Sequence, residues 1–232
     1  MDRDLLLSRF RETRTRIASA TSKYGRPPDS VGLVAISKGQ PAEALRALAE
    51  LGQRDFGENY LQEALPKLDA LADLDLVWHF TGQLQSNKTR AVAERFAWVH
   101  TLDRERIAVR LNEQRPFHAP PLNVCIQVRL EDEPGKGGIE PSGLVALAER
   151  VRELPRLKLR GLMCIPPPSD TFDAQRHWFE QLARHRDELN ARGFELDTLS
   201  MGMSDDLEAA IAAGATWVRI GTALFGPRPA KV

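Results

Sequence analysis

The feature that most constrains the fold of this chain is a regular alternation of short apolar runs with longer segments of helical periodicity. Gly, Pro, Asn or Asp residues bound the apolar runs, as is typical of β-strands. We predict eight strands, near residues 31–36, 53–56, 76–80, 97–101, 122–129, 159–165, 196–200 and 216–220. Strands that alternate with helices indicate a parallel α/β sheet, and eight such units indicate closure into a single (β/α)8 TIM barrel.

Helical segments are predicted between these strands, and one more precedes them all. The intervening helices are expected near residues 41–51, 59–72, 86–95, 103–113, 141–153, 172–192 and 204–213. Too few residues follow the last strand for a full eighth outer helix, so we expect residues 3–23 to form a helix that covers that side. No linker divides the chain, and residues 1–232 are expected to form one domain, with 1–24 as its N-terminal helix.

The composition argues against several functional classes. Lys plus Arg and Asp plus Glu both number 32, so no broad electrostatic field favours nucleic acid or an acidic membrane as a partner. No signal peptide and no apolar run of about 20 residues is found, and we expect a cytoplasmic protein. Cys125 and Cys164 lie in apolar runs and are interpreted as buried thiols without a disulfide. The histidines show no metal-ligand spacing, and His79, between two aromatic residues, is interpreted as packed and hydrogen-bonded.

Lys38 is the first candidate for chemistry. The active site of such a barrel lies at the carboxyl ends of its strands, and Lys38 follows an almost wholly apolar strand. Partial desolvation there favours the neutral amine, which can form an imine with an aldehyde. The alternative is a lysine whose stem packs on the barrel rim while its ammonium group reaches water.

The loops after the seventh and eighth predicted strands favour an anion site. They contain hydroxyl groups and glycines that let backbone N–H groups approach a phosphate, namely Ser200, Gly202, Ser204, Gly221 and Thr222. The helix predicted next, at 204–213, is expected to direct its positive end toward the same anion. The alternative is that these are ordinary turn and cap residues.

An imine-forming lysine and a phosphate site at one barrel end predict a cofactor that carries both an aldehyde and a phosphate, which is pyridoxal 5′-phosphate (PLP). Arg219 adds a prediction about the cofactor ring. If its guanidinium faces the pyridine nitrogen, it can only donate, so the nitrogen stays unprotonated and the ring is a weak electron sink. The alternative for Arg219 is a salt bridge at the end of the barrel.

Several motifs resemble those of the pyridoxal phosphate homeostasis proteins, whose barrel is similar to the N-terminal domain of bacterial alanine racemase. The matching runs are LVAISKGQP, FGENYLQE, WHFTGQLQSNK, RGLMCIPP and LSMGMSDDLEAAIAAGATWVRIGTALFG. The resemblance implies a PLP imine at Lys38 and a pyridine-nitrogen contact from Arg219. It also implies a set of further cofactor contacts at Asn59, Ser200, Gly202, Gly221 and Thr222.

The sequence departs from the family pattern at two loops near the expected pocket mouth. Ser-Lys-Gly replaces the usual Ser-Lys-Thr after the first strand, and Gly82-Gln83-Leu84-Gln85 replaces Gly-Pro-Leu-Gln after the third. These changes bear on ligand access more than on cofactor binding. The resemblance also makes Lys136, in the fifth loop, a candidate secondary PLP acceptor.

The choice between enzyme and carrier depends on a second base. Racemases with this barrel take a tyrosine from an additional domain of a partner subunit, whereas the tyrosines here are Tyr24 and Tyr60. Two-base proton transfer is therefore expected to be absent. We predict a non-catalytic, monomeric carrier that holds PLP and passes it to apo-enzymes. The alternatives are a PLP enzyme with slow one-base chemistry, racemase- or lyase-like, and a sugar-phosphate barrel enzyme without PLP.

Overall fold

The protein folds into a closed barrel of eight parallel strands that follow one another in chain order, with β8 paired back to β1. A computed structural model describes residues 2–131 and 137–226. The predicted (β/α)8 barrel is confirmed. Its strands are β1 Gly32–Ile36, β2 Asp55–Glu58, β3 Val77–Phe80, β4 Trp98–Leu102, β5 Leu122–Gln127, β6 Leu157–Met163, β7 Thr198–Ser200 and β8 Trp217–Ile220.

Helices alternate with these strands and form the outer layer. They are α1 Arg3–Lys23, α2 Ala42–Glu50, α3 Leu61–Ala70, α4 Thr89–Arg95, α5 Glu105–Gln114, α6 Leu144–Arg152, α7 Phe172–Ala191, α8 Leu207–Ala212 and α9 Thr222–Phe225. Short 3-10 turns at Ser86–Lys88 and Pro141–Gly143 lead into α4 and α6. Within the described part of the chain, no helix is both long and apolar enough to cross a bilayer.

The predicted extra helix at the N-terminus is confirmed. The Asp2 side chain caps α1 by accepting a hydrogen bond from the N–H of Asp4, and a buried apolar stripe runs along the helix. This stripe packs α1 against α2, α8 and α9. The Arg16 side chain then bonds Glu208 at 2.8 Å and the carbonyl of Ser204 at 3.0 Å, which ties α1 to the loop that precedes α8.

The strands bury both of their faces. Outward-facing residues such as Leu33 and Val99 join helix residues such as Leu45 in one continuous apolar cluster. Because successive side chains point to opposite faces, Trp98 faces the barrel interior, where it packs with Cys125 and Met163 in a second cluster. Burial raises the pKa of the Cys125 thiol to about 12, so this thiol behaves as an apolar group.

The second strand lies further along the chain than predicted. The apolar pattern placed it at 53–56, but it runs from Asp55 to Glu58. The Gln53 side chain is buried and donates hydrogen bonds to the carbonyls of Leu33 and Asp55. Gln53 therefore anchors the approach to β2 instead of opening the strand.

The sixth strand lies earlier in the chain than predicted. It was expected at 159–165, but it begins at Leu157, which pairs with Leu122 of β5, and it ends at Met163. The Cys164 N–H still donates to the Ser200 carbonyl at 3.3 Å, and the prolines at 166–168, which have no backbone N–H, prevent the strand from extending further.

Candidate functional site

Lys38 lies in the turn that directly follows β1, at the carboxyl end of the barrel. Its side chain is partly exposed, and its Nζ atom is 3.1 Å from the hydroxyl of Tyr60 and 4.5 Å from the centre of the Tyr60 ring. On the other side, β1 pairs with β8, and a Cβ atom on Gly221 would lie 3.4 Å from the Ile36 carbonyl oxygen. The first and last strands therefore bring Lys38 and the turn after β8 side by side.

Tyr60 is a neighbour of Lys38 that the sequence analysis did not assign to the site. From the sequence, Tyr60 was expected only not to serve as a second base. The signal for its position was available, since Tyr60 follows β2, which is the strand next to β1. Its ring is half exposed and stands beside the lysine ammonium in a cation–π arrangement.

A buried ion pair lies directly beneath the Lys38 turn. The Glu58 carboxylate, at the end of β2, accepts hydrogen bonds of 2.6 Å from the Ser37 hydroxyl and from Lys67 Nζ. Lys67 also donates to the Ser37 carbonyl at 2.7 Å. The second carboxylate oxygen of Glu58 is buried and has no hydrogen-bond partner among the described residues. Burial raises the pKa of Glu58, and the bonds from Lys67 and Ser37 oppose that rise.

Asn59 follows Glu58 and is fixed from both sides. Its side-chain oxygen accepts a hydrogen bond of 3.0 Å from the Thr81 hydroxyl. Gly82 packs against its backbone so closely that a Cβ on Gly82 would lie 2.0 Å from the Asn59 carbonyl oxygen. A cavity of about 380 Å³ opens between the loops after β2 and β3, lined by Asn59, Tyr60, Gln83, Gln85, Lys88 and neighbouring residues.

The turns after β7 and β8 lie at the same end of the barrel, on the other side of β1 from the loops after β2 and β3. Gly202 has φ +95° and no room for a side chain, because a Cβ there would lie 2.6 Å from the Ala210 methyl group. Gly221 precedes α9 and Thr222 opens it with an exposed side chain. The N–H groups of a first helical turn have no partner inside the helix, and here Ala223 donates its N–H to the Ser204 hydroxyl at 3.1 Å.

The helix predicted at 204–213 is shorter than expected, since it runs from Leu207 to Ala212. It begins at Leu207, because the Asp206 carboxylate accepts a hydrogen bond of 2.6 Å from the Met203 N–H and forms a turn before the helix. Ser204 is therefore not its cap. The helix start that lies beside the Ser204 hydroxyl is that of α9.

Arg219 projects from β8 and is buried, with 5% of its surface exposed. Its guanidinium donates one hydrogen bond to the Ser200 hydroxyl and one to the Cys164 carbonyl, each of 2.9 Å. The sequence alternative of a salt bridge was wrong, since no carboxylate within residues 2–131 or 137–226 contacts this group. Burial lowers the pKa of Arg219, and the nearby Asp206 carboxylate opposes that fall only in part.

Behind Arg219, a row of polar side chains crosses the barrel interior. His100 Nδ1 is 2.7 Å from the Ser200 hydroxyl, His100 Nε2 is 2.9 Å from His79 Nδ1, and His79 Nε2 is 2.9 Å from Asp55. Burial lowers the pKa of His79 and lowers that of His100 well below its usual value. Both rings are therefore neutral near pH 7.

Comparison with known proteins identifies the family. The alanine racemase N-terminal domain profile matches residues 28–229. A pyridoxal phosphate homeostasis protein of Pseudomonas aeruginosa is 60% identical over 92% of this chain and 91% of its own length. The chain belongs to the pyridoxal phosphate homeostasis protein family. Another member of that family, from Escherichia coli, is 52% identical over 94% of each chain.

Solved structures agree with this assignment. PipY of Synechococcus elongatus, solved with PLP bound, is 41% identical, covers 90% of this chain and 100% of its own, and superposes with a TM-score of 0.80. Alanine racemase of Corynebacterium glutamicum is 17% identical and superposes with a TM-score of 0.74, covering 64% of the racemase chain. The second likeness concerns the fold alone.

Lys136, the candidate secondary acceptor, lies outside the described residues.

Proposed function

We propose that this chain binds PLP at the carboxyl end of its barrel and serves intracellular PLP homeostasis as a carrier of the cofactor. The observation that carries the proposal is the pairing of β1 with β8, which sets the Lys38 turn beside the Gly221 turn, with Arg219 buried on the same strand as the latter. An amine, a buried cation that no carboxylate of residues 2–131 or 137–226 hydrogen-bonds, and a glycine-rich turn thus share one end of the barrel. A relative solved with PLP bound supports the same ligand.

The residues fit this cofactor on structural grounds. The aldehyde of PLP condenses with a lysine amine, and we assign Lys38 as the attachment point of that imine. Gly202 and Gly221 supply backbone without side chains, and Thr222 opens α9, so this wall suits a phosphate. Arg219 keeps unused N–H donors on a guanidinium that can only donate, which suits a pyridine nitrogen. We assign Asn59, held by Thr81, to the wall of the pocket.

The assignment of a carrier rests on proton transfer. Racemisation by two bases needs a proton-carrying group on each face of the cofactor. Tyr60 is the described tyrosine near the site, and its hydroxyl contacts Lys38 itself, so it stands on the lysine side. An arginine at the ring nitrogen keeps the ring a weak electron sink. Both features favour storage of PLP and its release to apo-enzymes over turnover.

A slow PLP enzyme, racemase- or lyase-like, is the second candidate. The distance of 3.1 Å between Lys38 Nζ and the Tyr60 hydroxyl favours it, because this pair could exchange a proton. Purified protein loaded with PLP and incubated with amino acids in D₂O separates the two. The carrier predicts no more α-proton exchange than free PLP gives with the same amino acids. Exchange above that background, lost in Lys38→Ala, would establish the enzyme instead.

Mass spectrometry after borohydride reduction tests the ligand and its attachment together. The wild-type protein incubated with PLP should carry one main adduct on the peptide that contains Lys38. Lys38→Ala should lose this adduct and remain folded, because the residue lies in an exposed turn. Lys158→Ala is the matched control, since Lys158 is exposed near the start of β6, at the other end of the barrel. A main adduct elsewhere, or none in the wild type, contradicts the proposal.

A further inference from the structure

The row of side chains behind Arg219 is an uninterrupted hydrogen-bond chain through the barrel. It starts at Asp55, whose side chain is 25% exposed at the first residue of β2. It continues through His79, His100 and Ser200, none of which has any exposed surface, and ends at Arg219. Successive donor and acceptor atoms are 2.9, 2.9, 2.7 and 2.9 Å apart. The chain thus links the amino-terminal end of the sheet to the proposed cofactor pocket.

The two ends fix the direction of every bond in this chain. Arg219 can only donate, and an ionised Asp55 can only accept. His79 therefore donates to Asp55 from Nε2, and because each neutral ring carries one proton, His100 donates from Nε2 to His79 Nδ1. The bare Nδ1 of His100 can only accept, so Ser200 donates its single proton to it while the Ser200 oxygen accepts from Arg219. The reverse order would place a bare His79 nitrogen against the carboxylate and lose that bond.

This direction determines what Ser200 can offer a ligand. Its hydroxyl proton is committed to His100, so the side chain cannot also donate to a phosphate. Its oxygen instead holds one arm of the Arg219 guanidinium, while the Cys164 carbonyl holds the other. Both acceptors are neutral. The Asp206 carboxylate acts on Arg219 through space, whereas the Asp55 carboxylate is joined to it through four successive hydrogen bonds.

We propose that Asp55, His79 and His100 are positioning residues that keep the Ser200 proton on His100, so that the Ser200 oxygen accepts from Arg219 alone and orients it toward the ligand. The inference rests on the proposed function for the identity of that ligand. Ser200 acts on the ligand through Arg219. The Asp55 carboxylate in turn acts on Ser200 because each hydrogen bond of the row polarises the next. Loss of the Asp55 charge lets both histidines shift their protons to Nδ1. Ser200 then receives two donors, and its own proton turns away from His100.

The first test needs no ligand. Protein labelled with ¹⁵N-histidine should show His79 and His100 as neutral rings with the proton on Nε2, by long-range ¹H–¹⁵N correlation. A proton on Nδ1 of either ring overturns the inference.

The second test is Asp55→Asn, which keeps the volume of the side chain but can donate as well as accept hydrogen bonds. We expect this variant to bind PLP about tenfold more weakly, as for a lost hydrogen bond to a charged group.

The spectrum of bound PLP adds a readout that a purely structural role would not change. The pH profile of its absorption should shift in Asp55→Asn and stay in place in Asp197→Asn, which removes a carboxylate beside β7 that pairs with Arg160 instead. His100→Asn is a second variant if Asp55→Asn does not fold, and it should show the same shift. An unchanged profile and affinity, with the Lys38 adduct intact, overturns the inference and leaves the proposed function standing. A wild type without any adduct contradicts the proposed function. The histidine spectra then still show whether the hydrogen bonds run in the direction inferred here.

Discussion

Glu58 and Lys67 form the most enclosed ion pair at the proposed site. Glu58 has no exposed surface, and the Lys67 side chain is 10% exposed. Both also bond Ser37, whose backbone continues directly into Lys38. Removing one member of a buried pair leaves an uncompensated charge, which costs far more than the pair itself contributes. The pair therefore fixes the base of the Lys38 turn, because an arrangement that separated the two charges would leave one of them buried and unpaired.

Lys67→Ala is expected to lower the free energy of unfolding by about 3–5 kcal/mol, because Glu58 would remain buried without its cation. Chemical denaturation measures this loss. The double variant Glu58→Gln with Lys67→Met removes both charges and should recover most of it. Lys158→Ala, on an exposed strand position, is the control and should leave stability unchanged. A loss below about 1 kcal/mol for Lys67→Ala, as for a surface pair, would contradict the role of this cluster.

The buried histidines predict how stability depends on pH. Burial lowers the pKa of His79 and His100 below the usual 6.5. Between the lowered pKa of the folded protein and the usual pKa of the unfolded chain, the unfolded chain therefore binds more protons. Stability is then fully present above pH 6.5 and falls as the pH drops, by about 1.4 kcal/mol per pH unit for each histidine. Urea denaturation between pH 5 and 7 measures the slope. His100→Asn should remove the larger share of the histidine contribution, because burial lowers the pKa of His100 further than that of His79. His118→Gln, on an exposed loop, is the control.

At the scale of elements, the loops after β2 and β3 depend on contact between Gly82 and Asn59. A side chain at Gly82 would meet backbone atoms of Asn59, which cannot move without displacing the end of β2. Asn59 lies between Glu58, which supports the Lys38 turn, and Tyr60, which contacts Lys38. A change in the loop after β3 would therefore be transmitted to Lys38 through Glu58, Asn59 and Tyr60.

Gly82→Ala is expected to cost about 1–3 kcal/mol of stability, as overpacking does, and to weaken PLP binding as well. Gly193→Ala is a matched control, because Gly193 has φ +83° but open space around its Cβ position, so only backbone strain of about 1 kcal/mol applies. Thermal unfolding and PLP titration measure both effects. Retention of full PLP affinity in Gly82→Ala would show that the loop does not position the site.

The sequence predicted those elements whose cause is local. Eight strands followed from apolar runs with turn residues between them, and Lys38 followed from its place after β1. Tyr60, Lys67 and His100 were missed as functional neighbours because their partners lie 22, 9 and 100 positions away. Contact between these residues depends on the register of neighbouring strands and on which face of α3 packs against the barrel. A local sequence pattern predicts neither of these. The direction of the hydrogen-bond chain needs both of its ends in place.

At the scale of the whole molecule, we propose a single domain that is monomeric. The barrel closes only when β8 pairs with β1, so no part of the sheet is complete alone. Trp98 and Trp217 lie at a ring distance of 6.2 Å inside the barrel and report its integrity by fluorescence. Fluorescence and far-ultraviolet circular dichroism should therefore give coincident unfolding curves. Separate transitions would indicate two units, and light scattering with the mass of a dimer would contradict the monomer.

Arg16 connects the N-terminal helix to the turn that we propose holds an anion. It joins α1 to the Ser204 carbonyl, and the hydroxyl of the same serine accepts the N–H of Ala223 in the first turn of α9. Only two hydrogen bonds therefore separate α1 from that turn. A recipient apo-enzyme that docked on α1 and displaced Arg16 would act on the proposed anion site without entering the mouth of the barrel.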